Sequence, residues 1–490
     1  MTVDRFTGPL ELLETGSPAL DRILGGGLPA RSITLIAGEP GAGKTILALQ
    51  ILFHQARQGR KALYFTTLAE PAVKLIRYMQ QFSFFDSELL EQHISFVDLG
   101  SSLRANGVES ALEQVLSRVE RADPDLVVVD GFTAIRDLVA EPTQVRTFTY
   151  DLAVHLAGWG ATSFLLGEDA RLDAMASPEL GIADGIVLLA NSRQELTAVR
   201  ELEVRKLRGA DYVTGRHFFE IGADGLRFYP RVRAPEPGSD EHLQPGDLAP
   251  MGVAGLDEML RGGLPVLSST IVEGGTGTGK TLLGLRFLIE GARRGEPGLL
   301  LTLEETPSQL RWIAGRFGWD LVDLEARGLL AIRYTSPVEL MTDRFLDLAR
   351  QEIESVGARR AVLDSLTALS LGVTSERRYR ELVYALTRHV RALGVTLLLT
   401  VEVAELLGTA QLTGRGVSSI ADNAILLRYV EVETRLLRAI SVLKARGIDH
   451  AHELHQFTIE ASGPQVGPPF TELRGILTGV PQPTRQETSR

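Results

Sequence analysis

Short runs of aliphatic and β-branched residues punctuate the chain, and between them lie longer segments whose apolar positions follow a helical period. SITLIAG (32–38) is one such run; a glycine-rich turn and then TILALQILFHQARQG (45–59) follow it. ALYFTTL (62–68), LVVVD (126–130) and TSFLLG (162–167) come at intervals filled by helix-length stretches. Continuous rather than alternating apolar runs are what strands buried on both faces require. Strand–helix alternation of this kind predicts an α/β fold, a mainly parallel sheet flanked by helices.

The same pattern occurs twice. TGSPALDRILGGGLPARSITLIAGEPGAGKT (15–45) matches MGVAGLDEMLRGGLPVLSSTIVEGGTGTGKT (251–281), an offset of 280 − 44 = 236 at the loop lysines. Asp130 pairs with Asp364 at an offset of 234, and IADGIVLL (182) pairs with IADNAILL (420) at 238. VRKLRG (204) and VLKARG (442) also match at 238. Four motifs in one order at nearly constant spacing indicate a duplicated domain. The expected division is a first domain over 1–231, a Pro-, Gly- and acid-rich connector over 232–250, a second domain over 251–480 and a short tail over 481–490.

Chemistry enters with the glycines. GEPGAGKT supplies Gly38, Glu39, Pro40, Gly41, Ala42, Gly43, Lys44 and Thr45; GGTGTGKT supplies Gly274, Gly275, Thr276, Gly277, Thr278, Gly279, Lys280 and Thr281. Both satisfy G-x-x-x-x-G-K-[ST] between a strand and a helix, the arrangement that turns backbone N–H groups toward phosphate oxygens. The lysines are expected to reach the β- and γ-phosphates of ATP, and Thr45 and Thr281 to ligate Mg²⁺. Asp130 and Asp364 end apolar runs at the carboxyl edge of the sheet. There they are expected to hold the same metal, the alternative being a cap on the following turn.

LYFTTLAEP (63–71) and LLLTLEETP (299–307) are copies of one strand. The second ends in Glu304 and Glu305, candidates for accepting a proton, or else an acidic turn before Pro307. As neighbours on an extended strand they face opposite sides, so one at most aims at a γ-phosphate. The first copy has Leu68 and Ala69 there, with Glu70 one step later. Glu70 keeps the parity of Leu68 and serves only if the strand end is bulged.

Composition narrows the class. With 51 basic and 62 acidic side chains the net charge is −11, which disfavours a nucleic-acid partner. Cysteine is absent, removing disulfides, thiolate metal sites and thiol nucleophiles. No stretch of 18 apolar residues exists to span a membrane, and the N-terminus lacks the basic-then-apolar order of a signal peptide; a soluble cytoplasmic protein is expected.

These motifs, with DSLTAL at 364, ILLRYVEVETRLLRAISVLKARG at 425–447 and GPPFTELRGILTGVP toward the end, resemble the KaiC family. These are tandem RecA-like P-loop ATPases known from the cyanobacterial circadian clock, and the resemblance covers nearly the whole chain. It implies a homohexamer of two stacked rings with ATP at subunit interfaces. Lys206 and Arg208, and Lys444 and Arg446, would reach the neighbour's γ-phosphate. It further implies serine/threonine autokinase activity in the second domain. Ser418 and Ser419 would be acceptors and Thr413 a third hydroxyl just upstream, whereas the first copy offers Leu180 and Gly181. Glu304 takes the place of the family's general base, so Glu304, Glu305, Lys280, Lys444 and Arg446 form the expected catalytic set. Phe317 lies near the family's adenine pocket and either stacks on the base or packs in the core. A KaiB-like or other signalling protein is the implied partner class. The single glutamate of the first copy predicts a site that binds Mg·ATP and turns it over slowly. The brief VPQPTRQETSR tail puts partner-driven rhythm in doubt. Two rival readings stand beside the enzyme: a nucleotide-gated interaction module, and a RecA-like motor on DNA.

Overall fold

The computed structural model describes residues 10–67, 72–132, 142–168, 181–194, 197–231, 247–337, 340–373, 375–403, 419–432, 435–471, 473–474 and 482–483. The chain divides into two compact units, residues 1–231 and 232–490.

The first unit is built on a nine-stranded sheet. Its order runs Gly225–Tyr229, Arg216–Gly222, Thr197–Leu207, Gly185–Gln194, Ile33–Gly38, Thr162–Gly167, Leu126–Asp130, Ala62–Thr66, Ile94–Asp98. From Gly185–Gln194 onward the strands are parallel; the first three form an antiparallel extension. The second unit repeats the plan. Its order is Leu330–Tyr334, Gly298–Thr302, Arg360–Asp364, Thr396–Glu402, Ser269–Gly274, Asn423–Val432, Arg435–Ala445, His455–Glu460, Gly463–Pro469. The last three strands are again antiparallel.

Both central strands, Ile33–Gly38 and Ser269–Gly274, are buried at every position, as strands covered on both faces are, with the polar Thr34, Ser269, Thr270 and Glu273 included. Side-chain alternation then feeds two cores. Ile36 packs with the helix Lys44–Arg57 on one face, while Ile33, Leu35 and Ala37 join a separate cluster on the other. Val272 and Ile271 divide in the same way between the two cores of the second unit. Burying each such aliphatic side chain contributes about 1.5–3 kcal/mol, so the strand that ends at the phosphate loop is among the best-anchored parts of each unit.

The expected connector ran to residue 250, but Leu248–Ala249 pairs with Leu264–Pro265 and belongs to the second unit. Ala249 is buried there. The apolar pair lies inside a segment otherwise rich in Pro, Gly and acid, which masks it in the sequence.

Candidate nucleotide sites

Each phosphate loop leaves the carboxyl end of its central strand and enters a helix, Lys44–Arg57 or Lys280–Arg293. The N-cap residues Gly43 and Gly279 have φ of 100° and 107°, left-handed values that glycine adopts without a Cβ penalty. Neither helix start has a side-chain cap, so its first N–H groups are available to an anion and carry the positive end of the dipole. Lys44 Nζ donates to the carbonyls of Gly38 (2.7 Å) and Glu39 (3.0 Å); Lys280 Nζ donates to those of Gly274 and Gly275 (both 2.9 Å). Burial lowers the pKa of both lysines. Glu168 and Asp130 oppose that shift at Lys44; Glu402, Asp364, Glu304 and Glu305 oppose it at Lys280.

The expected metal ligands meet. Thr45 Oγ1 donates to Asp130 Oδ2 (3.0 Å) and Thr281 Oγ1 to Asp364 Oδ2 (2.6 Å). Each pair presents only hard oxygen donors, which suits Mg²⁺. Two further hydroxyls orient these aspartates. Tyr64 donates to Asp130 Oδ2 (2.5 Å), and Thr400 donates to Asp364 Oδ1. They come from different strands in the two copies, so the motif comparison could not align them.

Around the second loop the carboxylates gather. The strand that precedes them ends at Thr302, so strand parity does not separate Glu304 from Glu305 as expected. Both act on Lys280. Glu304 Oε1 accepts a hydrogen bond from Ser365, the residue after Asp364. Glu305 has one oxygen buried without a partner; burial raises its pKa, helped by Asp364 and Glu304 and opposed by Lys280. The first copy has Gly131 where Ser365 stands. Leu68, Ala69 and Glu70 lie outside the described residues, as do Ser418, Thr413 and Leu180. Thr276 of the loop donates to Glu402 at the end of Thr396–Glu402. Phe317 stacks on Trp319 (ring centroids 5.0 Å apart) and packs against the core.

The Lys-x-Arg pairs sit at the other edge of the sheet. In both copies a β-bulge precedes them: register shifts between Ile186 and Val187 opposite Lys206, and between Ala424 and Ile425 opposite Lys444. An extra residue there re-aims the strand end. Lys444 Nζ donates to Ala421 O (2.7 Å). Arg208 pairs with Asp184 (3.2 Å) and Arg446 with Asp422 (3.3 Å), both guanidiniums staying largely exposed. The pKa of Lys206 is lowered by burial and then by Arg208, with Asp184 opposing. Each aspartate in turn accepts the backbone N–H that opens its central strand, Ile33 (3.1 Å) or Ser269 (3.0 Å). Ser419 lies on this same edge, exposed and three residues before Asp422.

Fold and loops together define the class, a protein of two tandem RecA-like P-loop ATPase domains. A family model for the KaiC ATPase matches residues 13–233 and again 249–470. The chain is 30% identical to the circadian clock oscillator protein KaiC of Rippkaea orientalis, over 98% of this chain and 93% of that one. It is 31% identical to the circadian clock protein KaiC3 of Synechocystis sp., over 99% and 97%. The chain belongs to the KaiC family of ATPases. Among the described residues, no helix is long and apolar enough to cross a membrane.

Proposed function

We propose that this ATPase binds Mg·ATP at both loops, assembles as a homohexamer, and acts in its second unit as a serine/threonine autokinase on Ser418 and Ser419. The observation that carries the reading is the convergence of Glu304, Ser365, Lys280 and the Thr281–Asp364 pair in the one copy that also has adjacent serines. Thr281 and Asp364 would hold Mg²⁺, which supplies charge neutralisation on the phosphate oxygens. Lys280 and the N–H groups of the loop bind and orient the triphosphate. A serine Oγ attacks the γ-phosphorus and the bond from that phosphorus to the β–γ bridging oxygen breaks. ADP leaves, and the hydroxyl proton passes to Glu304. Lys444 and Arg446 of a neighbouring subunit stabilise charge on the group in transfer, as Lys206 and Arg208 do in the first ring. Water in place of serine gives hydrolysis.

The first unit keeps the lysine, the metal pair and the cations but has Leu68, Ala69 and Gly131 around its strand ends. That favours a second role there, a nucleotide-held assembly site whose occupancy presents the ring to a KaiB-like or other signalling protein.

Peptide mass spectrometry after incubation with Mg·ATP tests the proposal. Phosphate is expected on Ser418 or Ser419, absent in Lys280→Ala and strongly reduced in Glu304→Gln. Steady ATP turnover with no phosphorylated peptide would overturn the autokinase assignment and leave an ATP-driven assembly switch.

A further inference from the structure

At the amino edge of the second unit's sheet, away from its phosphate loop, lies a cavity of about 40 Å³. Arg388, Arg391, Arg446, Asp422, Tyr384 and Ile420 are among the residues that line it. Asp422 is nearly buried and fully engaged. Its Oδ2 accepts from Ser269 N (3.0 Å) and Ser269 Oγ (3.1 Å), and it pairs with Arg391 (3.4 Å) and Arg446 (3.3 Å). One carboxylate therefore anchors two guanidiniums, and Arg388 adds a third cation, stacked over the Tyr384 ring at 5.3 Å. The lining carries three positive charges against one negative. A guanidinium has five N–H donors. Arg391 spends one on Leu267 O (2.9 Å) and one on Asp422; Arg446 spends one side-chain donor on Asp422. The donors left over on Arg391, which lines this small polar space, suit a tetrahedral oxyanion. The space holds roughly two or three waters.

Comparison of the two copies sharpens this. The strands Thr162–Gly167 and Thr396–Glu402 begin at equivalent residues, an offset of 396 − 162 = 234. Arg388 and Arg391 then correspond to Val154 and Ala157. The cation pair is thus confined to the copy with the serine pair, and Ile420 in the cavity wall directly follows Ser419.

We propose that this cavity is a phosphate-binding site separate from the nucleotide loop. Its ligand is a phosphate oxyanion, supplied either as the monoester on Ser419 or as free inorganic phosphate, a product of hydrolysis. The first source rests on the autokinase reading; the second does not. Seating the ester beside Arg388 and Arg391 would shield it from attack and lengthen its life.

The test uses the full chain with saturating ADP, so that the loops are filled. Binding of inorganic phosphate is measured by calorimetry at constant ionic strength, in wild type, Arg388→Gln and Arg388→Gln/Arg391→Gln. Retained ADP binding and circular dichroism guard against misfolding, and the single variant leaves the Arg391 contacts in place. Free-phosphate binding weakened at least tenfold in the double variant, and partly in the single one, supports the site with inorganic phosphate as its ligand. No such binding, but dephosphorylation of Ser419 accelerated at least tenfold in the variants, supports the phosphoserine. Absence of phosphate on Ser419 removes the autokinase arm alone, and the calorimetry still decides. Equal phosphate binding in all three proteins, or none together with unchanged Ser419 lifetimes, overturns the proposal.

Discussion

Glu273 lies on the central strand Ser269–Gly274, 1% exposed, and neither of its carboxylate oxygens has a hydrogen-bond partner. Its sheet neighbours at the same level are Val401 and Leu426, which offer nothing to bond. The equivalent residue of the first copy is Ala37. An unpaired carboxylate in such a place is held as the neutral acid, because ionisation would strand a charge in a low-dielectric interior. Burial alone pushes its pKa from the usual 4.5 to about 7. The linkage has a definite sign. Below 4.5 both folded and unfolded chains are protonated and stability does not vary with this group. Between 4.5 and about 7 only the unfolded chain gives up the proton, so stability falls as pH rises; above that the loss is complete. The slope is about 1.4 kcal/mol per pH unit and the whole loss roughly 3 kcal/mol. Glu273→Gln removes that dependence. Thermal melts from pH 5 to 8 should show the wild type losing stability relative to the variant as pH rises. Two parallel curves would mean that Glu273 ionises freely in the folded protein.

The two copies differ most at the strand ends beside their phosphate loops. Gly298–Thr302 and Arg360–Asp364 are neighbours, so the residues after them, Glu304 and Ser365, meet although they are 61 positions apart. Ser365 is buried and caps the helix Leu366–Leu369, which fixes its hydroxyl. Hydrogen bonds to charged groups contribute about 1.5–3 kcal/mol, less where the carboxylate is exposed as Glu304 is. Ser365→Ala should therefore slow ATP turnover and phosphoryl transfer roughly three- to tenfold, with ADP affinity unchanged. An unaltered rate would separate Ser365 from the base. The reverse exchange, Gly131→Ser, cannot equip the first copy. Gly131 has φ of 81°, and a Cβ there would meet Thr67 Oγ1 at 2.2 Å. This contrast marks what the sequence made legible. Strands, loops and the Thr45–Asp130 and Thr281–Asp364 contacts were readable because an apolar run or a glycine spacing encodes its own geometry. The Glu304–Ser365 contact was not, since it depends on which strands lie side by side. Nor was the common setting of Glu304 and Glu305, which depends on where a strand stops. The bulge opposite Lys444 was hidden for a related reason, as register is a property of a pair of strands.

Within the second unit, Arg446 and the phosphate loop occupy opposite edges of one sheet. Arg446 is tied through Asp422 to Ser269, where the central strand starts, and the loop begins at Gly274, where it finishes. Five steps along a strand cover about 16 Å, more than an arginine side chain spans. The cation is therefore too far to serve the loop of its own unit; in the proposed assembly a loop from another copy would come to it. The first unit has the same plan, with Arg208 held through Asp184 at Ile33 and the loop beginning at Gly38. A closed ring of identical subunits satisfies every such contact at once, and only a head-to-tail interface brings one edge against the other. Subunit mixing turns this into a measurement. Lys280→Ala spoils the loop of its own chain but keeps its cation; Arg446→Ala does the opposite. Each protein alone should lose second-ring phosphoryl transfer. Mixed in equal amounts and allowed to exchange before ATP is added, they place an intact loop against an intact cation at about a quarter of interfaces, and activity should recover to about that fraction of wild type. No recovery above the separate proteins, with exchange verified by mass labelling, would mean that the cation acts within one chain and that assembly is not needed for the chemistry.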